Sequence, residues 1–348
     1  MPALMSKSRT LPALITAGMC LSLLPFSGVA HADDTLDGNT QNSTDTDTSG
    51  DVNGDTVSAS AGGVVFDTSK NGAGESVGPV ASANTSWSPP ACWYAPKYTP
   101  EQLQKTLEPI WEAESTGSQW DLEQRKKYVD GEPYKDFNKD KTGEGYFWDA
   151  YVDKSYPPGW DKCTKDIFWV DKGAPPPADA VNAVTPEVLA ALAYAQVRVP
   201  TKKVTLKPEG TTKVNLPTWA WLDGADFKPV SVTASVPVLG ISATTTAEPV
   251  SLKIEPGTTD AVTYPASGVC AISDGQIGEP YAGGKANQDP PCGVKYLRSS
   301  GNGSYHLKAT VTWKIHWEGS GNTGGDLPDG TFGADQDVVV QEIQAVNR

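Results

Sequence analysis

The chain has 348 residues, 38% of them hydrophobic and 20% charged, and a formal charge of −14. That length suffices for two modest domains, each burying a core. So acidic a surface repels nucleic acid and anionic lipid, and excludes both as expected partners.

The first 32 residues read as a cleavable secretory signal. Lys7 and Arg9 precede a mostly apolar run from Leu11 to Val29, which ends in the small-x-small exit Ala30-His31-Ala32. Pro12, Ser22 and Pro25 break the run, whereas a membrane span needs about 20 predominantly apolar residues. Met19 stands before Cys20 where a lipoprotein signal wants a small residue. No later stretch is apolar enough to span a bilayer. The expectation is a secreted, extracellular protein with no transmembrane segment after cleavage. Removing 32 of 348 residues leaves 316, and losing Lys7 and Arg9 takes the charge from −14 to −16.

Residues 33–86 are rich in Asp, Thr, Ser, Gly and Asn and are expected to be mostly disordered, because they bury too little apolar surface to offset ordering entropy. Val57 to Phe66 is the stretch able to add a short strand. From Trp87 the composition turns aromatic, and 87–172 reads as a small irregular domain. Within it Thr99-Pro100-Glu101-Gln102 supplies an N-cap, a first-turn proline and a capping-box Gln. Leu103, Leu107, Ile110 and Trp111 follow helical spacing, with Pro109 expected to kink or end the helix. A second helix is expected over 119–129.

Residues 173–201 read as a Gly/Ala/Pro linker and a helix capped by Thr185, with Val188, Leu189, Leu192 and Ala195 on its apolar face. From 202 to 348 the period becomes two. Val230, Val232, Ala234, Val236 and Val238 alternate with polar residues or proline, and Val250, Leu252 and Ile254 repeat the pattern. Over 305–317, Leu307, Ala309, Val311, Trp313, Ile315 and Trp317 share a face with Tyr305, while His306, Lys308 and His316 lie opposite. Several such half-buried strands between Gly/Pro turns make an antiparallel β-sandwich. The expected class is mainly β.

Four cysteines remain after the signal leaves: Cys92, Cys163, Cys270 and Cys292. Four allow three pairings; Cys92–Cys163 and Cys270–Cys292 are the economical ones, each within one compositional region. The wide spacing lacks the C-x-x-C element of a zinc site, so no metal is expected there.

Cys292-Gly293-Val294-Lys295-Tyr296 and Gly303-Ser304-Tyr305-His306-Leu307-Lys308-Ala309 resemble a PKD-like, immunoglobulin-type domain. The family's Trp-x-Phe-Gly-Asp-Gly signature is absent; Leu252-Lys253-Ile254-Glu255-Pro256-Gly257 stands in its place. More broadly, Pro89-Pro90-Ala91-Cys92-Trp93-Tyr94 and Leu216-Pro217-Thr218-Trp219-Ala220-Trp221-Leu222 resemble a group of secreted actinobacterial proteins. That resemblance implies export and a β-rich C-terminal domain, and no activity.

His306 and His316 are ten residues apart on one strand, about 33 Å at 3.3 Å per residue, too far to share a metal or proton relay. No G-x-G-x-x-G follows a strand and no Walker lysine loop occurs, so no nucleotide cofactor is expected. Asp136-x-Asn138-x-Asp140 and Asp51-x-Asn53-x-Asp55 begin like calcium loops, but the required Gly and bidentate Glu are missing from both. A glycan hydrolase would need two carboxylates drawn from Glu112, Glu114, Asp121, Glu123, Asp136, Asp140, Glu144, Asp149 or Asp153; it is the alternative reading. The leading expectation is a non-catalytic extracellular binding or structural module, with polysaccharide, cell wall or protein as partner. Trp93, Tyr94, Trp148, Tyr151 and Trp160 are the candidate binding aromatics, since exposed rings stack on sugars.

Overall fold

The computed structural model describes residues 51–343, apart from 54–55, 62, 75, 114–117, 154–159, 223, 225–226, 274 and 286–287. The expected signal, residues 1–32, lies outside the described residues. In chain order, five short strands come first: β1 (Asp51–Asn53), β2 (Thr56–Ala61), β3 (Val64–Asp67), β4 (Val77–Pro79) and β5 (Ala81–Ser82). The aromatic region follows with β6 (Cys92–Tyr98), α1 (Pro100–Glu112), α2 (Ser118–Tyr128), β7 (Gly145–Val152) and β8 (Phe168–Asp171). Next are α3 (Pro186–Gln196), β9 (Arg198–Pro200), β10 (Thr205–Lys207), β11 (Thr211–Lys213), β12 (Pro217–Leu222) and β13 (Val230–Val236). The chain closes with β14 (Ile241–Glu255), β15 (Ala261–Tyr264), β16 (Val269–Ser273), β17 (Gln276–Gly278), β18 (Gly293–Tyr296), β19 (Tyr305–Gly319) and β20 (Thr323–Gln341).

The protein is mainly β, as expected. One antiparallel sheet runs β2-β3-β13-β14-β19-β20-β5. A second runs β16-β17-β12-β18-β15, with β10 also on β12. β16 pairs with β14 as well as β17, so one strand passes from sheet to sheet, and Cys270 within it is bonded to Cys292 beside β18. Leu252, Ala309 and Val311 of the first sheet meet Leu222 of β12 around an internal gap of only about 10 Å³. This is the interdigitated interior of a β-sandwich.

The long hairpin β19–β20 keeps the predicted alternation. Leu307, Val311, Trp313 and Ile315 are buried, while His306, Lys308 and Lys314 are exposed. On β13 the alternation stops at Val236. Pro237–Leu239 turns the chain and leaves Val238 exposed, contrary to the expected continuation of the strand face.

α3 begins where expected, with Thr185 Oγ1 accepting from the Val188 N–H. The narrow apolar stripe expected for it needs correction. Leu189, Ala190, Ala191, Leu192, Ala193 and Tyr194 are all buried, because the helix is enclosed on nearly every side. Thr245 Oγ1 of β14 donates to the Ala190 carbonyl at 2.8 Å, and Thr245 is flanked along its face by Ala243 and Ala247. These small side chains let helix and sheet approach closely.

The three-stranded sheet β6-β7-β8 is covered on both faces. Phe147 joins Leu103, Leu107, Trp111, Tyr128, Phe137 and Ile167 in a small core under α1 and α2. Trp148 and Ala150, on the opposite face, belong to the core shared with the sandwich. The capping box of α1 forms as predicted. The helix does not end at Pro109 but runs to Glu112, which keeps Trp111 in the core. One missing N–H costs less than that burial returns. Cys92 and Cys163 are bonded across 71 residues.

The disorder expected for 33–86 is corrected over its later part. β2 and β3 form a hairpin, with Val64 and Phe66 buried. β3 then pairs with β13, β4 with β9, and β5 with β20. Backbone pairing with partners more than a hundred residues away supplies order that local composition does not reveal. Residues 173–184, expected as linker, run along β6: Tyr94 N–H donates to the Asn182 carbonyl and Val184 N–H to the Tyr94 carbonyl.

Candidate functional site

The candidate aromatics are placed by the two faces of β6 and β7. Trp93 is 3% exposed, Tyr94 1% and Trp148 2%. The expected stacking platform is therefore corrected for these three, which are core residues. Tyr94 and Trp148 pack on Phe168 with ring centroids 5.5 and 6.3 Å away. Trp93 stacks on the partly buried Tyr151 at 6.4 Å. The Trp160 side chain lies outside the described residues. Isolated strands of a fully covered sheet read as continuous aromatic runs, so periodicity gave no sign of which rings are buried.

β7 carries one aromatic that sequence reasoning passed over. Tyr146 is two residues from Trp148, hence on the same face, and only partly buried. Together they line a cleft of about 340 Å³, closed by the Pro175-Pro176 segment on one side and by Leu239 and Ile241 of the β13–β14 turn on another. Asp171 and Lys172 stand exposed at its lip. Asp171 Oδ1 accepts from Trp169 Nε1 at 2.6 Å, which holds the carboxylate at the end of β8. Trp148 Nε1 is buried with no hydrogen-bond partner. Asp171 is the single carboxylate among the described residues lining this cleft. The alternation of Tyr146 with Trp148 was the available signal.

A second feature sits on the opposite face of the same two strands. Lys97, 14% exposed, reaches Asp149, 0% exposed, at 2.7 Å. Asp149 Oδ1 also accepts from the Ala150 N–H at 2.8 Å. The Lys97 ammonium lies 5.1 Å from the Tyr151 ring centroid and 5.5 Å from that of Tyr98. Burial pushes the Asp149 carboxyl above its ordinary value, against the downward pull of Lys97. Burial likewise raises the phenols of Tyr98 and Tyr151. A lysine and an aspartate within otherwise apolar strands were the sequence signal for this pair.

The remaining candidates are dispersed. His306 is exposed and contacts Asp337 at 2.6 Å; His316 is on the same strand, far along it. Asp136 pairs with Lys139 while Asn138 turns inward and is buried, so the 136–140 loop does not splay its oxygens around one point. The side chains of 51–55, like Glu114, lie outside the described residues. Among the described residues no group of three His, Cys, Asp or Glu stands ready to hold a metal ion.

No family model matches the chain, and no curated protein or solved structure matches it. Among the described residues no helix is long and apolar enough to cross a membrane.

Proposed function

We propose that the protein is secreted and serves as a non-catalytic extracellular binding module, with a polysaccharide held in the Tyr146 cleft. The observation that carries this reading is an open, aromatic-floored cleft with a partly exposed tyrosine and a charged lip. Pyranose rings present apolar faces to aromatic rings and hydroxyls to polar groups such as Asp171 and Lys172. The two disulfides suit an oxidising, extracytoplasmic compartment. In this reading the sandwich is a scaffold of the PKD-like kind that the Tyr296 and Tyr305 strands resemble, and the cleft is grafted on its flank.

Hydrolysis is the weaker reading. Glycosidases flank the scissile bond with two carboxylates, and the cleft lining offers Asp171. The test is retention of the mature protein on insoluble glycans, cell-wall material included. Retention is expected, with Tyr146→Ala weakening it roughly tenfold, the scale of one lost aromatic contact. Absence of retention on every polymer, or retention indifferent to Tyr146→Ala, overturns the proposal.

A further inference from the structure

We propose that Lys97 and Asp149 become joined by an intramolecular amide bond, a covalent stitch between β6 and β7. The geometry brings Lys97 Nζ to 2.7 Å from Asp149 Oδ2 inside a packed sheet, with no residue between them. Asp149 is wholly enclosed, and Lys97 is roofed by the rings of Tyr98 and Tyr151. In such surroundings two opposite charges are costly to keep, and the proposed reaction starts when a proton passes from the ammonium to the carboxylate. Burial holds the Asp149 carboxyl above its ordinary value, against the pull of Lys97.

The neutral pair is reactive in a way the ion pair is not. The free amine of Lys97 bears a lone pair, and the protonated carboxyl of Asp149 has a carbon that accepts it. Attack forms the Nζ–Cγ bond and places negative charge on Oδ1. That oxygen already accepts the Ala150 backbone N–H at 2.8 Å, a donor fixed where the charge develops. A proton passes from the nitrogen to the protonated Oδ2, the Cγ–Oδ2 bond breaks, and Oδ2 departs as water. One ammonium and one carboxylate thus give one amide and one water, with no oxidant, reductant or activating co-reactant. Proximity replaces activation, because the two groups are held together for the life of the fold. Lys97 stands in the register irregularity between the pairs 96–148 and 98–147, which hold it from both sides.

The test is the intact mass of the purified full chain, denatured and fully reduced. The expected mass is that of the sequence, after any signal cleavage defined by N-terminal sequencing, less one water. Trypsin is expected to fail after Lys97 and to release one branched peptide joining the Lys97 and Asp149 segments. Lys97→Arg, which keeps the cation but has no primary amine, is expected to restore the full mass and to unfold at lower temperature. A wild-type mass with no water missing, together with clean cleavage after Lys97, overturns the proposal, and that measurement needs no variant to fold.

Discussion

At Trp313 the indole is fully enclosed, with Phe227 stacked 6.3 Å away and Gly330 opposite it on β20. Gly330 is required there: a Cβ would fall 1.8 Å from a Val80 methyl carbon. Trp313→Ala would leave a large hole in a close-packed interior. The expected loss is about 3–5 kcal/mol, read as a shift in the urea midpoint. Period-two alternation had already placed Trp313 and Trp317 on one face of their strand, and both are buried. Alternation says nothing about Trp93, Tyr94 and Trp148, because both faces of their sheet are covered. For the same reason Lys97 and Asp149 looked like ordinary charges until their strands were placed side by side.

Helices were legible where their ends carry chemistry. Thr99 and Gln102 satisfy one another's backbone N–H groups at the start of α1. Thr99→Ala is expected to cost about 1 kcal/mol, measured by denaturant titration, with the aromatic core of α1 and α2 the first region to gain amide exchange. The starts of α1 and α3 followed from their caps, but their environment did not. α3 is alanine-rich, and nothing local told whether a short apolar helix lies on a surface or inside. Its enclosure depends on Ala243, Thr245 and Ala247, which arrive more than fifty residues later. The strands of 202–341 were legible as a class, whereas their pairing was not, since register depends on partners distant in sequence.

Across the molecule, buried phenols set the alkaline limit of stability. Burial is the main cause that raises Tyr94, Tyr98, Tyr128, Tyr151 and Tyr296 above their ordinary value of 10.0, and it pushes Tyr194 up to about 12. The unfolded chain ionises these groups near pH 10, while the folded chain holds them neutral. Their contribution is therefore fully present below pH 10 and is lost as pH rises through the folded values. The expected outcome is stability that falls above about pH 10, with most phenolate absorbance appearing together with loss of tertiary circular dichroism. Ordinary titration of these tyrosines in a still-folded chain would contradict it. The cleft was the least legible feature at this scale, because Tyr146, Lys172 and Ile241 come from three separate stretches.

The hairpin of β2 and β3 extends the first sheet at β13, and β5, which begins 14 residues after β3 ends, pairs with β20 at the far side. One N-terminal ribbon thus adds to both borders of the sheet, along 233–235 of β13 and along 330–331 of β20. During synthesis this ribbon emerges long before anything it will seal. It waits unpaired, and late closure of the borders makes assembly an end-to-end event with a high contact order. Clipping the ribbon from the finished molecule would bare two rows of unsatisfied amides at once, an invitation to intermolecular strand addition.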